Sequence, residues 1–224
     1  MATALKAKPH LGKKRVFLVE DHPVTREGFA RLIDFQTDLM VCGKATSAAE
    51  AMKEIPREKP DIAIVDISLA GGNGIELVKD LAVLDPALPV LVLSMHDEKI
   101  YAGRAIRAGA RGYIMKNEPI ELVLRSIREV LRGQICVSEA MRTLMLEKLH
   151  GRKSDTVGVD TLSDRELEVF RLIGEGRGTR EIAKHLCISV STAEKHRAHI
   201  KEKLGLQNAP ELVSSAARWV QSED

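Results

Sequence analysis

Acidic side chains stand directly after two of the most apolar stretches of the chain. Glu20 and Asp21 follow residues 15–19, and Asp66 follows residues 62–65. Uninterrupted apolar runs with β-branched members are typical of strands that are buried on both faces of a parallel sheet. Ligands collect at the carboxyl ends of such strands. We therefore expect the three carboxylates to meet at one edge of the sheet.

Three carboxylates that converge repel one another and require a cation. An all-oxygen site with room for water and phosphate oxygens suits Mg²⁺. Two more predicted strand ends add the Ser94 hydroxyl and the Lys116 ammonium group. In that setting Asp66 could attack a phosphoryl group, and Ser94 could donate to a phosphoryl oxygen. Lys116 and the metal would neutralise the incoming charge.

Each of these residues also has an ordinary structural interpretation. A single acidic residue at a strand end is more often a helix N-cap or a solvated loop charge than a ligand. Lys116 alone could be a surface lysine, and Ser94 alone a strand-end hydroxyl. Tyr113, three residues before Lys116, could be a half-buried aromatic. The coincidence of such residues at four separate strand ends favours the functional interpretation.

The elements around these residues alternate five times between strand and helix. Apolar runs predict strands over 15–19, 39–42, 61–65, 89–94 and 112–116. Helical periodicity predicts helices over 24–33, 74–84, 98–108 and 120–131, and one that opens at a capping box at Ser47. Such alternation predicts a flavodoxin-like α/β fold with a five-stranded parallel sheet in the order 2-1-3-4-5. That order places the first and third strands side by side.

The C-terminal part of the chain is predicted to be helical. The predicted helices, with Ser163, Thr179 and Ser189 as the first three N-caps, cover 163–173, 179–186, 189–204 and 210–220. The turn 187–189 is short enough for helix-turn-helix geometry. Residues 177–203 hold seven Lys or Arg and three Glu, a local excess of +4 against +2 for the whole chain. A basic second helix after a tight turn is what the major groove requires.

The third of these helices is the predicted recognition helix. Its predicted buried stripe is Val190, Ala193, Ile200 and Leu204. The residues predicted to contact DNA are Arg180, Lys184, Ser191, Thr192, Glu194, Lys195, His196, Arg197 and Lys201. Among them Glu194 and Lys195 are the candidates for base edges, whereas Thr192, Arg180, Lys184 and Lys201 are candidates for phosphate contacts. For His196, a packed and hydrogen-bonded position is an equal alternative.

Together these motifs resemble a two-component response regulator of the NarL/FixJ type, with a receiver domain and a LuxR-type helix-turn-helix. The receiver motif is Glu20-Asp21 as acidic pair, Asp66 as phosphoacceptor, Ser94 as switch hydroxyl, Tyr113 as switch aromatic and Lys116 as the lysine. The LuxR-type motif is the Glu181-Ile182-Ala183 triplet, the Ile188-Ser189-x-x-Thr192 turn and the Lys195-His196 pair. The corresponding organisation is a disordered lead over 1–14, a receiver over 15–133, a linker with a short helix over 134–160 and a DNA-binding domain over 161–224.

The resemblance implies a function. It implies phosphotransfer from a sensor histidine kinase to Asp66, with Mg²⁺ held by Glu20, Asp21, Asp66 and the carbonyl of Ser68. The phosphoryl group would switch the receiver through Ser94 and Tyr113 and so control binding to double-stranded promoter DNA. The resemblance further implies a homodimer when phosphorylated, allows contact with RNA polymerase, and suggests that the resting state covers the recognition helix. The chain would not be an enzyme beyond slow self-dephosphorylation.

The sequence departs from the family pattern at three places. Ala70 stands where proline is usual, which should loosen the loop after Asp66. Gly178-Thr179 replaces a common Ser-Asn pair, and Ala193 replaces valine, which removes volume under the recognition helix.

Composition indicates the cellular compartment and argues against a secreted or membrane-spanning protein. The cysteines Cys42, Cys136 and Cys187 form neither a disulfide framework nor a CxxC metal site, which favours a reducing cytoplasm. Cys42 and Cys187 are predicted to be small core residues. The lysine-containing N-terminus lacks an apolar core, so no secretory signal is predicted. The apolar run 86–95 is too short for a bilayer, and no membrane partner is expected.

Two other functions compete with this interpretation. A phosphatase of the haloacid dehalogenase type would want a second aspartate two residues after the nucleophile, where this chain has Ser68. A one-component regulator would use the α/β domain to bind a small ligand and would not be phosphorylated on Asp66.

Overall fold

The computed structural model describes residues 12–69, 72–149 and 158–222. The strands are β1 (Lys14–Val19), β2 (Leu39–Ala45), β3 (Ile62–Val65), β4 (Ser68–Leu69), β5 (Gly72–Asn73), β6 (Val90–Ser94) and β7 (Gly112–Met115). The first helices are α1 (Pro23–Asp34), α2 (Ala48–Glu58), α3 (Gly74–Leu84), α4 (Glu98–Ala108), α5 (Ile120–Leu131) and α6 (Glu139–Leu149). The later helices are α7 (Asp164–Gly174), α8 (Thr179–His185), α9 (Val190–Leu204) and α10 (Ala209–Gln221), preceded by a short 3₁₀ turn, Val159–Thr161. Across these three ranges no helix is both long and apolar enough to cross a bilayer.

The central sheet has the predicted parallel topology. Its five strands run in the order β2-β1-β3-β6-β7, so β1 and β3 are neighbours. Buried Val, Ile and Leu side chains cover both faces of the sheet. Strand β2 continues to Ala45, three residues past the predicted end, and its pairing with β1 shifts register between Val16 and Phe17. The carboxyl ends of β1, β3, β6 and β7 therefore meet at one edge.

A small antiparallel pair, β4 with β5, follows β3 and was not predicted. It leads into α3 at Gly74, where a Cβ atom would overlap the backbone carbonyl of Asp66. Glycine is needed there because the start of α3 approaches the backbone of the candidate phosphoacceptor. Ala70, at the family's usual proline position, lies outside the described residues.

The helix starts confirm some predicted caps and correct others. Ser163 caps α7 with a full capping box. Its hydroxyl accepts from the Glu166 amide, and the Glu166 carboxylate accepts from the Ser163 amide. At α2 the box is incomplete, because the Glu50 carboxylate accepts from Thr46 and not from Ser47. The prediction of Thr179 as a cap is wrong. Helix α8 starts at Thr179 itself, after Gly178, whose amide donates to Glu181 over 2.8 Å.

The described part of the segment predicted as a linker packs against the α/β domain. The Tyr113 amide donates to the Cys136 carbonyl over 2.9 Å, so the chain after α5 runs alongside β7. Met141 of α6 is 2% exposed, and α6 lies against α4. The predicted disordered lead lies largely outside the described residues. So does the polar part of the predicted linker at 151–158, of which only Gly158 is described.

Of the two cysteines predicted to be core residues, Cys42 packs against the hydrophobic core and Cys187 does not. Cys42 is half-buried, and its thiol lies 3.4 Å from the Val16 carbonyl oxygen. Cys187 is exposed and takes a left-handed backbone conformation, with φ of 51°. It occupies the tight turn between α8 and α9, so turn geometry and not apolarity determines its position.

Helix α10 packs mainly into its own domain. Leu212 and Ala216 are fully buried, and the Trp219 ring lies 5.5 Å from the ring of Phe170 on α7. The two helices are so close that a Cβ atom at Gly174 would lie 2.5 Å from the Ala216 carbonyl oxygen. Core packing therefore accounts for most of the apolar face of this helix.

Candidate phosphoacceptor pocket and DNA-binding surface

Asp66 lies at the centre of a cluster of ionised groups at the sheet edge. It follows the last residue of β3, and its amide donates to the carbonyl of Val19 at the end of β1 over 2.9 Å. The Lys116 ammonium group lies 2.7 Å from Asp66 Oδ2 and 2.6 Å from Glu20 Oε2. Because Lys116 follows β7 directly, its amide is held by the Ser94 carbonyl over 2.8 Å. Three strand ends thus fix one ion-paired cluster, as the sequence predicts.

The carboxylates also fit a metal ion. Glu20, Asp21 and Asp66 each offer an oxygen, and the three oxygens lie within 4.8 Å of one another. Asp66 Oδ1 is buried and has no hydrogen-bond partner among the described residues. A buried carboxylate oxygen without a partner is costly unless a cation or a reacting group uses it. The donor set is all oxygen, which matches the preference of Mg²⁺.

Burial sets the acidity of the central groups. It raises the pKa of Asp66 to about 6, although the Lys116 ammonium opposes the shift and the Glu20 carboxylate adds to it. Burial alone would lower the pKa of Lys116, but the carboxylates of Asp66 and Glu20 hold that pKa above its ordinary value. Lys116 therefore stays charged, and Asp66 is mostly ionised at neutral pH.

Ser94 and Tyr113 meet at a residue that sequence reasoning missed, His96. The Ser94 hydroxyl is fully buried and accepts from the His96 amide over 3.2 Å. The Tyr113 hydroxyl donates to the His96 carbonyl over 2.7 Å, and Tyr113 is itself fully buried. The His96 imidazole lies 2.7 Å from the Ser68 hydroxyl and stacks on Tyr101 of α4 at 4.7 Å between ring centroids.

Burial lowers the pKa of His96 to about 3, with Arg171 and Lys116 adding to the effect, so the imidazole is neutral at physiological pH. The described conformation thus links the phosphoacceptor edge to α4 through one neutral histidine. The only sequence signal for His96 is its position two residues after Ser94, and a single histidine in a predicted loop carries too little information to be selected.

The predicted DNA-contacting residues are all exposed or half-buried in the C-terminal domain. Ser191, Glu194 and Lys195 of α9 are exposed, as are Arg180 and Lys184 of α8. The half-buried members of the set are Thr192, His196, Arg197 and Lys201. The recognition-helix face is open in this conformation, in contrast to the covered resting state that the resemblance suggests.

The prediction for α9 is confirmed in part. Ala193 and Ile200 are fully buried as predicted, but Val190 is 46% exposed, because it stands at the first residue of the helix and reaches beyond the core. His196 is half-buried, and burial lowers its pKa, with Arg165 adding to the shift. Ser189 is confirmed as the N-cap, since its hydroxyl accepts from the Thr192 amide over 3.0 Å.

The fold and the site together define a class of protein. An acidic phosphoacceptor-type pocket on a parallel five-stranded sheet, followed by a basic helix-turn-helix, is the arrangement of a regulator that controls DNA binding. The family model for the response regulator receiver domain matches residues 16–128, and the model for bacterial regulatory proteins of the luxR family matches residues 160–216. The chain belongs to the two-component response regulators of the NarL/FixJ type and is a DNA-binding regulator of transcription.

Known relatives cover nearly the whole chain. It is 36% identical over 210 residues to the oxygen regulatory protein NreC of Staphylococcus haemolyticus, covering 91% of this chain and 97% of that protein. The NreC protein of a Staphylococcus aureus strain is 37% identical over the same length. A LuxR-family response regulator from Aurantimonas matches 62% of this chain with 32% identity and a TM-score of 0.58. Salmonella RcsB bound to a promoter matches 92% with a TM-score of 0.66 and 23% identity, which supports the fold.

Proposed function

We propose that Asp66 accepts a phosphoryl group from a sensor histidine kinase and that this modification controls promoter binding by α9. The observation that carries the proposal is the buried, unpartnered Asp66 Oδ1 beside a lysine that already holds Oδ2. One oxygen is thereby fixed by an ion pair, and the other is left for a reaction.

The chemistry follows from the groups in contact. Asp66 Oδ1 attacks the phosphorus of a phosphohistidine, an acyl phosphate forms, and the P–N bond breaks with its electron pair returning to the imidazole nitrogen. Lys116, 2.7 Å from Oδ2, is placed to neutralise the negative charge that the incoming phosphoryl group brings to the carboxylate. Glu20, Asp21, Asp66 and the Ser68 carbonyl would hold Mg²⁺, which supplies charge neutralisation for the phosphoryl oxygens when bound. The Ser94 hydroxyl accepts from the His96 amide and keeps its own O–H to donate to a phosphoryl oxygen.

Promoter recognition is proposed for the exposed face of α9. Glu194 and Lys195 stand in its N-terminal half, which is the part of a recognition helix that meets base edges. Arg180, Lys184, Thr192 and Lys201 would bind phosphates, with Ser191, His196 and Arg197 at the margins of the same surface. A protein that works on promoters with unpaired thiols belongs in the reducing cytoplasm.

A phosphorylated homodimer is the proposed active form. Val213 on α10 is 43% exposed although its helix neighbours Leu212 and Ala216 are fully buried. It offers an apolar contact that the domain core does not use. Contact with RNA polymerase at the promoter would follow from that assembly.

The test is incorporation of phosphate from acetyl phosphate with Mg²⁺, measured by intact mass. We expect the wild-type chain to gain the mass of one phosphoryl group and Asp66→Asn to gain none. Asp80→Asn, which changes an exposed aspartate of α3, is the matched control and should behave as wild type. Equal incorporation into Asp66→Asn would contradict the assignment, and steady turnover of a small phosphorylated substrate would favour a phosphatase instead.

A further inference from the structure

A buried arginine of the receiver is neutralised by the DNA-binding domain. Arg104 of α4 is 7% exposed. Its guanidinium donates to the carbonyls of Val159 and Leu162 over 3.1 and 2.8 Å and to the Asp164 carboxylate over 3.0 Å. All three acceptors lie in the segment that opens the C-terminal domain. We call Arg104 and these three contacts the interdomain clamp.

A second receiver cation strengthens the clamp. Lys79 of α3 lies 2.8 Å from the other carboxylate oxygen of Asp164. Asp164 is the first residue of α7 and is 13% exposed, so one buried carboxylate is shared by two receiver cations. Removing either member of a buried ion pair leaves the other charge without compensation. The two domains are therefore held in a defined relative position, and not only by their covalent connection.

The clamp places the DNA-binding domain beside the phosphoacceptor. Asn73, just after the Asp66 loop, donates to Glu168 of α7 over 3.2 Å. Asp66 opens into a cavity of about 600 Å³ with walls from both domains. The walls from the DNA-binding domain include Glu168, Arg171, Glu175, Arg177 and His185.

A cavity of that size accommodates a small molecule. A phosphohistidine carried by another protein has to bring part of that protein to the mouth of the pocket, where α7 and α8 now stand. Access to Asp66 in the clamped conformation therefore depends on the size of the phosphodonor.

We propose that Arg104 clamps the DNA-binding domain across Asp66, so that the closed chain accepts phosphate from small donors but excludes a protein donor. The proposal depends on Asp66 being the phosphoacceptor. The clamp is also placed to respond to the pocket, because Arg104 stands one helical turn after Tyr101, the residue that stacks on His96. A shift of His96 when Ser94 turns to the phosphoryl group would move the same face of α4.

The test compares two donors that transfer phosphate from a P–N bond. Phosphoramidate is the small donor, and an autophosphorylated soluble sensor kinase that phosphorylates the wild-type chain is the protein donor. We expect Arg104→Gln in the full-length chain to raise the rate from the kinase about tenfold, because the accessible conformation becomes populated. The rate from phosphoramidate should change less than about twofold. Arg111→Gln, an exposed arginine of the same domain, is the matched control and should leave both rates unchanged.

A variant in the DNA-binding domain distinguishes loss of the clamp from damage to the receiver. Asp164→Asn leaves the receiver sequence intact and should shift the ratio of the two rates in the same direction by a smaller factor. Both variants are checked for a cooperative thermal transition and should show a larger radius of gyration by small-angle X-ray scattering. Equal changes with both donors, or an unchanged ratio in both folded variants, would overturn the proposal.

The scattering result also distinguishes failure of the clamp proposal from failure of the assignment of Asp66 as phosphoacceptor. If phosphoramidate leaves the wild type unmodified, or modifies Asp66→Asn to the same extent, the assignment of Asp66 fails. The clamp is then tested by the radius of gyration alone. An Arg104→Gln chain with the same radius of gyration as wild type would overturn it.

Discussion

The phosphoacceptor pocket and the recognition helix assemble their functional groups in opposite ways. The pocket collects Glu20, Asp66 and Lys116 from three separate strand ends and buries them, so the Lys116 ammonium and the Glu20 carboxylate both act on the acidity of Asp66. The recognition helix carries Glu194 and Lys195 on a single element and exposes them. A change in the pocket should therefore have a large and coupled effect, whereas changes on the helix should be moderate and nearly independent.

The largest effect is expected from Lys116→Met. Losing the ammonium group leaves Glu20 and Asp66 facing each other and removes a cation from the reaction, which should slow phosphoryl incorporation by about 10²–10³-fold. Lys99→Met, at an exposed position on α4, should retain the wild-type rate. The measurement is the initial rate of mass gain with acetyl phosphate and Mg²⁺. A rate within a few-fold of wild type would show that the pocket is not electrostatically coupled.

A stability effect is expected from Asp66→Asn in metal-free protein. The folded pKa of about 6 lies above the ordinary value of 3.8, so the folded state binds a proton more readily than the unfolded state. This contribution to stability is present at low pH and is lost as the pH rises through about 6. The variant should therefore be more stable than wild type at pH 7–8 by on the order of 2 kcal/mol. The difference should disappear near pH 4.

Urea unfolding across this pH range, with a chelator present, is the measurement for Asp66→Asn. A variant that is less stable than wild type at neutral pH would contradict the assigned burial cost. Added Mg²⁺ should favour wild type, because the variant has lost one carboxylate of the cluster.

A moderate effect is expected from Lys195→Ala on the recognition helix. Loss of a base contact should weaken binding to a selected promoter duplex by about 1–2 kcal/mol and relax sequence preference at one position. Phosphate incorporation should not change. Fluorescence anisotropy with the selected duplex and with single-base variants measures both quantities. An equal loss on every duplex would place Lys195 on the phosphate backbone.

The smallest effect is expected from Lys184→Ala on α8. A phosphate contact contributes similarly on every duplex, so affinity should fall uniformly and the slope of log K against log salt should decrease by about 1. A salt titration with selected and unrelated duplexes is the measurement. An unchanged slope would remove Lys184 from the interface.

The sequence predicted those parts of the molecule that depend on short-range patterns. Apolar runs followed by polar residues located the strand ends, and parallel topology then brought Asp66 and Lys116 together. The small β4–β5 pair and the extension of β2 to Ala45 were not visible, because pairing depends on the neighbouring strand.

The contacts that sequence reasoning missed depend on tertiary structure. His96 has no periodicity or motif that marks it, and its role comes from meeting Ser68, Tyr101 and Tyr113 in space. No local sequence pattern distinguishes Arg104 from the other helix charges, because its acceptors lie in the other domain. The acceptors of Arg104 lie 55–60 residues further along the chain, and a local sequence pattern does not connect residues so far apart.

The most direct test of the central claim is the affinity for a selected promoter duplex before and after treatment with acetyl phosphate and Mg²⁺. Wild type and Asp66→Asn are compared under identical conditions, with the phosphoryl content of each sample read by intact mass. We expect the dissociation constant of wild type to change about tenfold on phosphorylation and that of Asp66→Asn to stay constant. A wild-type chain that carries the phosphoryl group on Asp66 yet binds DNA with unchanged affinity would contradict the account.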